Sequence, residues 1–290
     1  MDIQLEAVEE LRFPDGSPVR AASAVAPLGD GFVVVQDDAT HGAWYRGGTA
    51  RAVRLLPPVA GLDQFEEASG TKHLKPDLEA ACLLPGGDAL LMLGSGSSPA
   101  RMRWSWLRLV DGEPVVEVAE MAQAYGAAAS ALGVPPDVLN MEGACVVGDA
   151  VRWFHRGMPS AGFPSGSVDL DPATGAVSGP RTYDLGEVDG VGLAMTDAVA
   201  LSDGAILVSA AAEDSPNPRD DGPVVGSALV RIESDVVVDA APLPTVRGSV
   251  AKVEGLMLLD TSEAAVRLLA VVDVDDPAVP SLALTLGVSA

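Results

Sequence analysis

The sequence predicts an all-β fold, a five-bladed β-propeller of four-stranded antiparallel blades, and two observations support this. One pattern occurs five times: a short apolar run, a tight turn, a second apolar run and a loop. Its copies begin 55 to 63 residues apart, a spacing typical of a protein built from one repeated unit. Units of four antiparallel strands repeated radially form a propeller. The repeats begin at Ser23, Glu79, Glu142, Asp197 and Glu254.

Each repeat is predicted to contain a β-hairpin and two further strands. The turn after the first run is rich in Gly and Asp, as in residues 29–31, and these residues tolerate the positive φ of hairpin turns. A third run follows in several repeats, for example at residues 104–109, and leaves room for an outer strand. The last repeat has space for only three strands. We therefore expect residues 2–13 to supply its outer strand and close the ring.

One segment predicts a helix instead of a strand. Residues 121–132 are Ala-rich and are followed by Gly133 and two prolines, which are helix-stop signals, so they indicate a helical insertion between the second and third repeats. No shift in composition divides the chain, and residues 1–290 are predicted to form a single domain. A β-sandwich with coincidental repeat spacing is the alternative.

The composition disfavours two classes of partner. The 290 residues include 18 Lys and Arg against 41 Asp and Glu, a formal charge of −23, so nucleic acids and anionic membranes would be repelled. Cys82 and Cys145 are too few for a disulfide scaffold or a paired-cysteine zinc site. The first residues do not resemble a secretory signal, and no apolar stretch approaches the length of a membrane span. We expect a soluble, cytoplasmic protein.

The first position of the repeat is acidic in four of the five copies. Innermost strands line the channel of a propeller, so we expect these side chains to converge on its axis. Small residues follow each of them, for example Gly143 and Gly255, as crowded inner strands require. Carboxylates so close together raise one another's pKa unless a cation compensates them, and Ca²⁺ accepts carboxylate, carbonyl and water oxygens. The sequence therefore predicts Ca²⁺ in the channel; carboxylates paired with Arg or Lys are the alternative.

The arrangement of glutamate and non-glutamate blades resembles that of the calcium-activated nucleotidase (apyrase) propellers. The phytase-like propellers are similar in their Glu-Gly step before an apolar strand. The resemblance covers the whole chain as repeat architecture and two or three residues in each blade. It implies a Ca²⁺ ion whose ligands are Glu79, Glu142 and Glu254, with carbonyl oxygens from Ser23 and from Thr196 or Asp197.

Several charged residues are predicted to surround the same mouth of the channel, because the loops after the second strands return to the end where the inner strands begin. Six of the 18 basic residues fall there, which suggests a small anionic ligand: Lys72, Lys75, Arg101, Arg103, Arg156 and Arg219. In the same region, His155 and Arg156 are the predicted catalytic residues. The predicted ligand-binding residues are Lys75, Arg101, Asp38 and His41.

Two functions of different classes fit this sequence. The first is a metal-dependent hydrolase of a small anionic ester, phosphoester or phosphoanhydride, in which Ca²⁺ polarises the substrate and His155 or an unliganded carboxylate takes a proton. The second is a non-enzymatic propeller whose Ca²⁺ is structural and whose loops bind a protein or a small ligand. A lactonase-type Ca²⁺ propeller is a third hypothesis; it needs an Asn ligand, for which Asn140 is the nearby candidate.

Overall fold

Five antiparallel β-sheets form the blades of a propeller in the computed structural model, which describes residues 1–214, 222–262, 265–274 and 276–289. The strand bounds follow in chain order. The first blade contains β2 (Ala22–Leu28), β3 (Gly31–Gln36), β4 (His41–Arg46) and β5 (Thr49–Arg54). The second contains β6 (Leu78–Leu83), β7 (Leu90–Gly94), β8 (Arg103–Val110) and β9 (Glu113–Glu120). The third contains β10 (Met141–Val147), β11 (Ala150–His155), β12 (Ser165–Leu170) and β13 (Val177–Tyr183).

The last two blades depart slightly from this scheme. The fourth contains β15 (Val191–Ala200), β16 (Ile206–Glu213), β17 (Val224–Glu233) and β18 (Val236–Pro242), and a two-residue strand, β14 (Glu187–Val188), pairs with its inner strand. The fifth contains β19 (Val253–Thr261), β20 (Ala265–Val272), β21 (Leu282–Ser289) and the N-terminal strand β1 (Asp2–Glu10). Strand β1 pairs antiparallel with β21 from Asp2 opposite Ser289 to Glu10 opposite Leu282. The predicted closure of the ring by the N-terminal strand is therefore confirmed.

A helix, α1 (Ala122–Leu132), connects the second blade to the third. Its C-terminus is capped by Gly133, whose φ of 69° is the left-handed conformation that glycine adopts without strain. Tyr125 on this helix contacts Trp153 edge-on at 4.8 Å between ring centroids, so α1 packs against the third blade. No helix in the described ranges has the length and apolar composition needed to cross a membrane.

The inner strands of neighbouring blades approach one another closely around the channel. Strands β2, β6, β10, β15 and β19 each contact the next, and β19 contacts β2. A Cβ atom on Gly143 would lie 2.9 Å from the Cα of Asp197, and one on Gly255 would lie 2.8 Å from the Cα of Ala24. Contacts this short leave no room for a larger residue, which explains the small residues after the repeat's first position.

Each inner strand contains a β-bulge at an equivalent position. The pairing with the second strand skips one residue in every blade, and the skipped residues are Ser23, Glu79, Glu142, Thr196 and Glu254. A bulge bends the strand and redirects side chains locally. The sequence repeat placed Asp197 at this position in the fourth blade; the structure corrects it by one residue, to Thr196.

Candidate functional site

A cavity of about 370 Å³ opens at the end of the channel where the bulges lie. Four of the five bulge residues border it, and Thr196 does not. Among the described residues that line it, eleven are acidic and six are basic. The basic ones are Arg20, Lys72, Lys75, Arg101, Arg156 and Lys252. The chemistry of the cavity therefore depends on how these charges are paired.

Five charged side chains from three blades form a chain of alternating sign, which we call the axial ion chain. Arg156 Nη1 lies 3.0 Å from Glu142 Oε1, and Arg156 Nη2 lies 2.7 Å from Glu213 Oε2. Lys252 Nζ lies 2.9 Å from Glu213 Oε2 and 3.0 Å from Glu254 Oε1. Glu213 lies in the middle of this chain, between the two basic residues, and its side chain is only 2% exposed. Two of the three predicted calcium ligands are thus paired with basic side chains of the protein.

A second alternating arrangement, the lateral ion chain, links the first two blades. Lys75 Nζ lies 2.5 Å from Asp37 Oδ2 and 2.9 Å from Asp77 Oδ1, and Arg101 Nη1 lies 2.8 Å from Asp77 Oδ2. The hydroxyl of Ser95 also donates to Asp77 Oδ2. The Ser97 hydroxyl lies 3.5 Å from the same oxygen, so Asp77 has four donors around it.

Glu79 lies near the lateral ion chain but is not part of it. Its carboxylate and those of Asp37 and Asp77 each offer an oxygen within 4.8 Å of the other two. Among the described residues, Glu79 makes no hydrogen bond or ion pair, although it borders the cavity. Glu79 is thus the unpaired glutamate of the three on the inner strands.

The environment separates the pKa values of these carboxyls. Burial, together with the nearby charges of Asp77 and Asp37, raises the pKa of Glu79 well above its usual range. Burial also acts to raise the pKa of Asp77, but the charges of Lys75 and Arg101 outweigh it and the pKa is lowered. Burial raises the pKa of Glu142 to about 7, against the opposing effect of Arg156. Of these two neighbouring carboxyls, Glu79 therefore keeps its proton to a higher pH than Asp77 does.

Ser23, Thr196 and Asp197, whose backbone carbonyls are the other predicted metal ligands, have side chains that bond to neighbouring strands. Ser23 Oγ donates to the carbonyl of Leu78 at 2.6 Å, which links the first and second blades. The Thr196 hydroxyl donates to the carbonyl of Val253 at 2.5 Å. Asp197 is 1% exposed, and its Oδ2 accepts a hydrogen bond from the backbone N–H of Leu256 at 2.7 Å. These side chains connect adjacent inner strands.

The histidines predicted near the mouth do not border the cavity. His155 is 1% exposed, and its Nδ1 lies 2.9 Å from the carbonyl oxygen of Asn140. Burial lowers the pKa of His155 to about 4, so the imidazole is neutral at pH 7. The His155 imidazole is therefore not exposed to the cavity, as its predicted role as a base would require. His41 begins β4 and also lies outside the cavity lining.

The predicted anion-binding residues reach the cavity but are paired there with carboxylates. Lys75, Arg101 and Arg156 belong to the two ion chains, and Asp38 borders the cavity beside Arg20, whose Nε lies 2.8 Å from Asp38 Oδ2. Burial and the charge of Asp37 raise the pKa of Asp38 to about 7. Arg219 lies outside the described residues. The basic side chains thus do not form an unopposed positive site.

Asp77 and Lys252 were missed by the sequence analysis, which named Asn140 only as a candidate ligand of a lactonase-type site. Asp77, Asn140 and Lys252 each lie two residues before an inner-strand glutamate, and all three border the cavity. Asn140 Nδ2 donates to Glu142 Oε1 at 2.6 Å. Glu213 is the last residue of β16, the second strand of the fourth blade, so it does not share this spacing.

The carboxylates are of the type that binds Ca²⁺, but their pairing does not fit a metal ion on the axis. Arg156 and Lys252 neutralise Glu142 and Glu254, while Lys75 lies between Asp37 and Asp77. On the axis, the protein's own cations occupy the role that a metal would have, and we derive no step through one. Beside the axis, Asp37, Asp77 and Glu79 form an acidic cluster, with oxygens within 4.8 Å of one another, that could hold a cation, although Lys75 already lies between two of them.

Comparisons with known proteins identify a family. The profile of a family of unknown function, DUF6910, matches residues 71–277. The chain belongs to this family. No curated protein matches the DUF6910 chain significantly.

Several solved structures are similar to this DUF6910 protein. A mannose phosphorylase from Leishmania mexicana is 13% identical, with a TM-score of 0.53 over 97% of this chain and 88% of that one. A gluconolactonase from Xanthomonas campestris is 13% identical, with a TM-score of 0.46 over 90% and 69%. A luciferin-regenerating enzyme is 11% identical, with a TM-score of 0.46 over 98% and 95%. The five-bladed propeller is confirmed; the narrower resemblance to nucleotidases and phytases stays a prediction.

Proposed function

We propose that this protein is a hydrolase of a small polar substrate, that the axial cavity is its active site, and that Glu79 is the proton donor. The observation that carries the proposal is that Glu79 is unpaired and borders the cavity. It borders a cavity of about 370 Å³ and has no ion-pair partner among the described residues, whereas Glu142 and Glu254 are paired. A carboxyl that borders a cavity and has a raised pKa can serve as a general acid.

The neighbours of Glu79 support this role. Asp77 stays ionised because Lys75, Arg101 and Ser95 hold it, and its negative charge favours the proton on Glu79. Glu79 would give that proton to the oxygen of the leaving group, which leaves as a neutral alcohol. The Glu79 carboxylate that remains is then reprotonated from solvent.

Glu142 is suited to activate the attacking water. Its Oε1 is held by Asn140 and Arg156, while its Oε2 has no hydrogen-bond partner among the described residues. One oxygen thus fixes the side chain, and the other, although buried, has no protein donor that competes for it. With a pKa near 7, ionised Glu142 is a stronger base than an ordinary carboxylate.

The experiment measures turnover of a panel of chromogenic esters, phosphoesters and glycosides by the wild-type chain, Glu79→Gln and Glu117→Gln, with Ca²⁺ and with EDTA. Glu117 lies on β9, is exposed, and faces Arg108 at 3.9 Å, so it is a matched control. Loss of a general acid lowers the rate by about 100-fold or more, and we expect this only for Glu79→Gln. Wild-type rates in Glu79→Gln would refute the assignment.

The same panel tests the two functions predicted from the sequence. Phosphoester turnover that requires Ca²⁺ and persists in Glu79→Gln would replace our proposal with the calcium-dependent hydrolase. Ligand binding without turnover of any substrate class would favour the non-enzymatic propeller.

A further inference from the structure

We propose that residues 66–74 form a hinged flap at the axial cavity, and that an ion pair between Arg20 and Glu66 holds this flap in its closed position. The inference concerns access to the cavity and goes beyond the reaction proposed there. It is carried by the place of the segment in the cavity wall, by its hydrogen bonds and by its burial.

The flap lies in the connection between the first two blades, which leaves β5 at Arg54 and enters β6 at Leu78. Glu79 borders the cavity at the start of β6. Four flap residues line the same cavity: Glu66, Glu67, Ala68 and Lys72. Because these residues form part of the wall, a movement of the flap changes the access of a ligand to Glu79.

The chain is fixed to the body of the propeller on both sides of the flap. Before the flap, Phe65 is 2% exposed, and its backbone N–H donates to the carbonyl of Asp38 at 2.9 Å. After the flap, Lys75 is paired with Asp37 and Asp77, and the backbone N–H of Asp77 donates to the carbonyl of Asp37 at 3.1 Å. The hinges therefore lie at the two ends of the flap, between these fixed points.

The hydrogen bonds of the flap are internal. The backbone N–H of Glu66 donates to Thr71 Oγ1 at 3.0 Å, and the N–H of Thr71 donates to the carbonyl of Glu66 at 3.1 Å, which closes the segment into a loop. The N–H groups of Gly70 and Leu74 donate to the carbonyls of Glu67 and Thr71. Between described residues, no backbone hydrogen bond joins the flap to a strand. The flap can therefore move as one piece with its own hydrogen bonds intact.

The flap also has no fully buried side chain. Residues 67–70 and residue 73 are exposed, and the other four are partly exposed. The connection through α1 differs, because four of its residues are buried: Ala124, Tyr125, Ala128 and Ala129. A segment with few buried contacts opens locally at low cost, whereas a segment that is part of the core opens only with the core.

An ion pair ties the flap to the cavity wall. Arg20 Nη1 lies 3.6 Å from Glu66 Oε2, and Arg20 Nε lies 2.8 Å from Asp38 Oδ2 in the first blade. The Glu66 side chain is 41% exposed, so solvent screens this pair and it can break reversibly. Glu67, the next residue, lies 3.9 Å from Lys72 on the flap itself. Glu67 therefore supplies a matched control in the same segment.

The first test measures flap opening as the distance between two spin labels, by pulsed electron paramagnetic resonance. One label is at Ser69→Cys in the flap and the other at Val236→Cys, an exposed position on β18; Ala173→Cys with Val236→Cys is the reference pair. Both native cysteines are buried. We expect two distance populations for the flap pair, with the open one increased about 2- to 5-fold by Glu66→Ala and unchanged by Glu67→Ala. A single distance as narrow as that of the reference, unchanged by Glu66→Ala, would overturn the inference.

The second test measures access to the cavity through chemical labelling of Glu79. A water-soluble carbodiimide couples the Glu79 carboxyl to an amine, and mass spectrometry of the digested protein gives the labelling rate. We expect Glu66→Ala to raise this rate about 2- to 5-fold. Glu67→Ala removes the same charge from the same flap and should leave the rate unchanged. Equal rates in the wild type and Glu66→Ala would show that the flap does not control access.

The outcomes separate this inference from the proposed function. Flap opening in a protein that turns over no substrate of the panel would refute the hydrolase and leave the flap in place. Turnover that depends on Glu79 in a protein whose flap pair has a single narrow distance would support the hydrolase and refute the flap.

Discussion

Replacement of Arg156 by Met tests whether the axial ion chain neutralises the channel. Arg156 is paired with Glu142 at 3.0 Å and with Glu213 at 2.7 Å, and the side-chain exposures are 14% for Arg156 and 8% and 2% for the two glutamates. Met keeps the apolar part of the side chain and removes the guanidinium, with its charge and its hydrogen bonds to the two glutamates. The variant leaves two buried carboxylates with one fewer partner, so we expect it to be less stable.

The expected size of the effect follows from the burial. Breaking a buried ion pair costs about 3–5 kcal/mol, and we take the lower end because Arg156 borders the cavity. Unfolding entropy is about 2.1 cal/mol/K per residue, or about 0.6 kcal/mol/K for 290 residues. A loss of about 3 kcal/mol therefore lowers the Tm by about 5 °C. Differential scanning calorimetry at pH 8 measures it.

A surface pair supplies the matched control for this variant. Arg108 lies 3.9 Å from Glu117, with 50% and 73% of the side chains exposed, so Arg108→Met should cost at most about 1 kcal/mol, or less than about 2 °C. If Arg156→Met lowers the Tm by no more than Arg108→Met does, the axial ion chain is not a buried network and the argument fails.

The pH dependence of the Tm of the Arg156→Met variant is a second test of the axial ion chain. Without Arg156, the pKa of Glu142 should rise above its value of about 7, since Arg156 lowers it in the native protein. A carboxyl whose pKa is raised by folding costs stability above its unfolded pKa, and this cost disappears as the pH falls below that value. The Tm difference from the wild type should therefore narrow between pH 8 and pH 5. A difference that widens toward low pH would contradict the assignment.

Two further predictions concern the metal and the inner strands. The Tm should be the same in EDTA and in Ca²⁺, because basic side chains already neutralise the channel; a Ca²⁺-specific rise would restore the calcium prediction. Gly143→Ala and Gly255→Ala should each cost about 1–3 kcal/mol in thermal denaturation, since their Cβ atoms would lie within 3 Å of a neighbouring backbone. Gly126→Ala, with open space on α1, should stabilise by up to about 1 kcal/mol, and equal effects at all three positions would refute the close approach.

The propeller fold could be predicted from the sequence because its signals are local and repeated. Turn glycines such as Gly29 and Gly148, with φ of 61° and 63°, occur at the same phase in different blades. Each blade is an independent instance of the same pattern, so a wrong strand assignment in one repeat does not change the assignment of the others. The closure by β1 followed from counting strands in the last repeat and was also correct.

The bulge residue of each inner strand was harder to predict than the fold. Strand alternation assigns faces on the assumption of uninterrupted pairing, and a bulge adds one residue that alternation does not include. In the fourth blade, Thr196 and Asp197 are adjacent in the sequence. Asp197 was aligned with the glutamates of the other repeats because it is acidic. The pairing shows that Thr196 is the skipped residue. A single sequence contains no signal that decides between them.

The charge pairing was beyond the sequence analysis because it joins residues far apart in the chain. Arg156 contacts Glu213 across 57 residues, and Lys75 contacts Asp37 across 38. Charge counting correctly placed Lys75, Arg101 and Arg156 near the mouth, which suggested an anionic ligand. Their pairing depends on how side chains of adjacent blades meet, and that is set by the ring geometry.

The unequal states of the three inner-strand glutamates follow from the residue two positions before each of them. In the fifth blade that residue is Lys252, which pairs with Glu254; in the third it is Asn140, which donates to one oxygen of Glu142. In the second blade it is Asp77, whose negative charge adds to burial in raising the pKa of Glu79. These three blades share a backbone bulge that presents a glutamate, and the neighbouring residue contributes to whether that glutamate is neutralised, held by one oxygen or given a raised pKa.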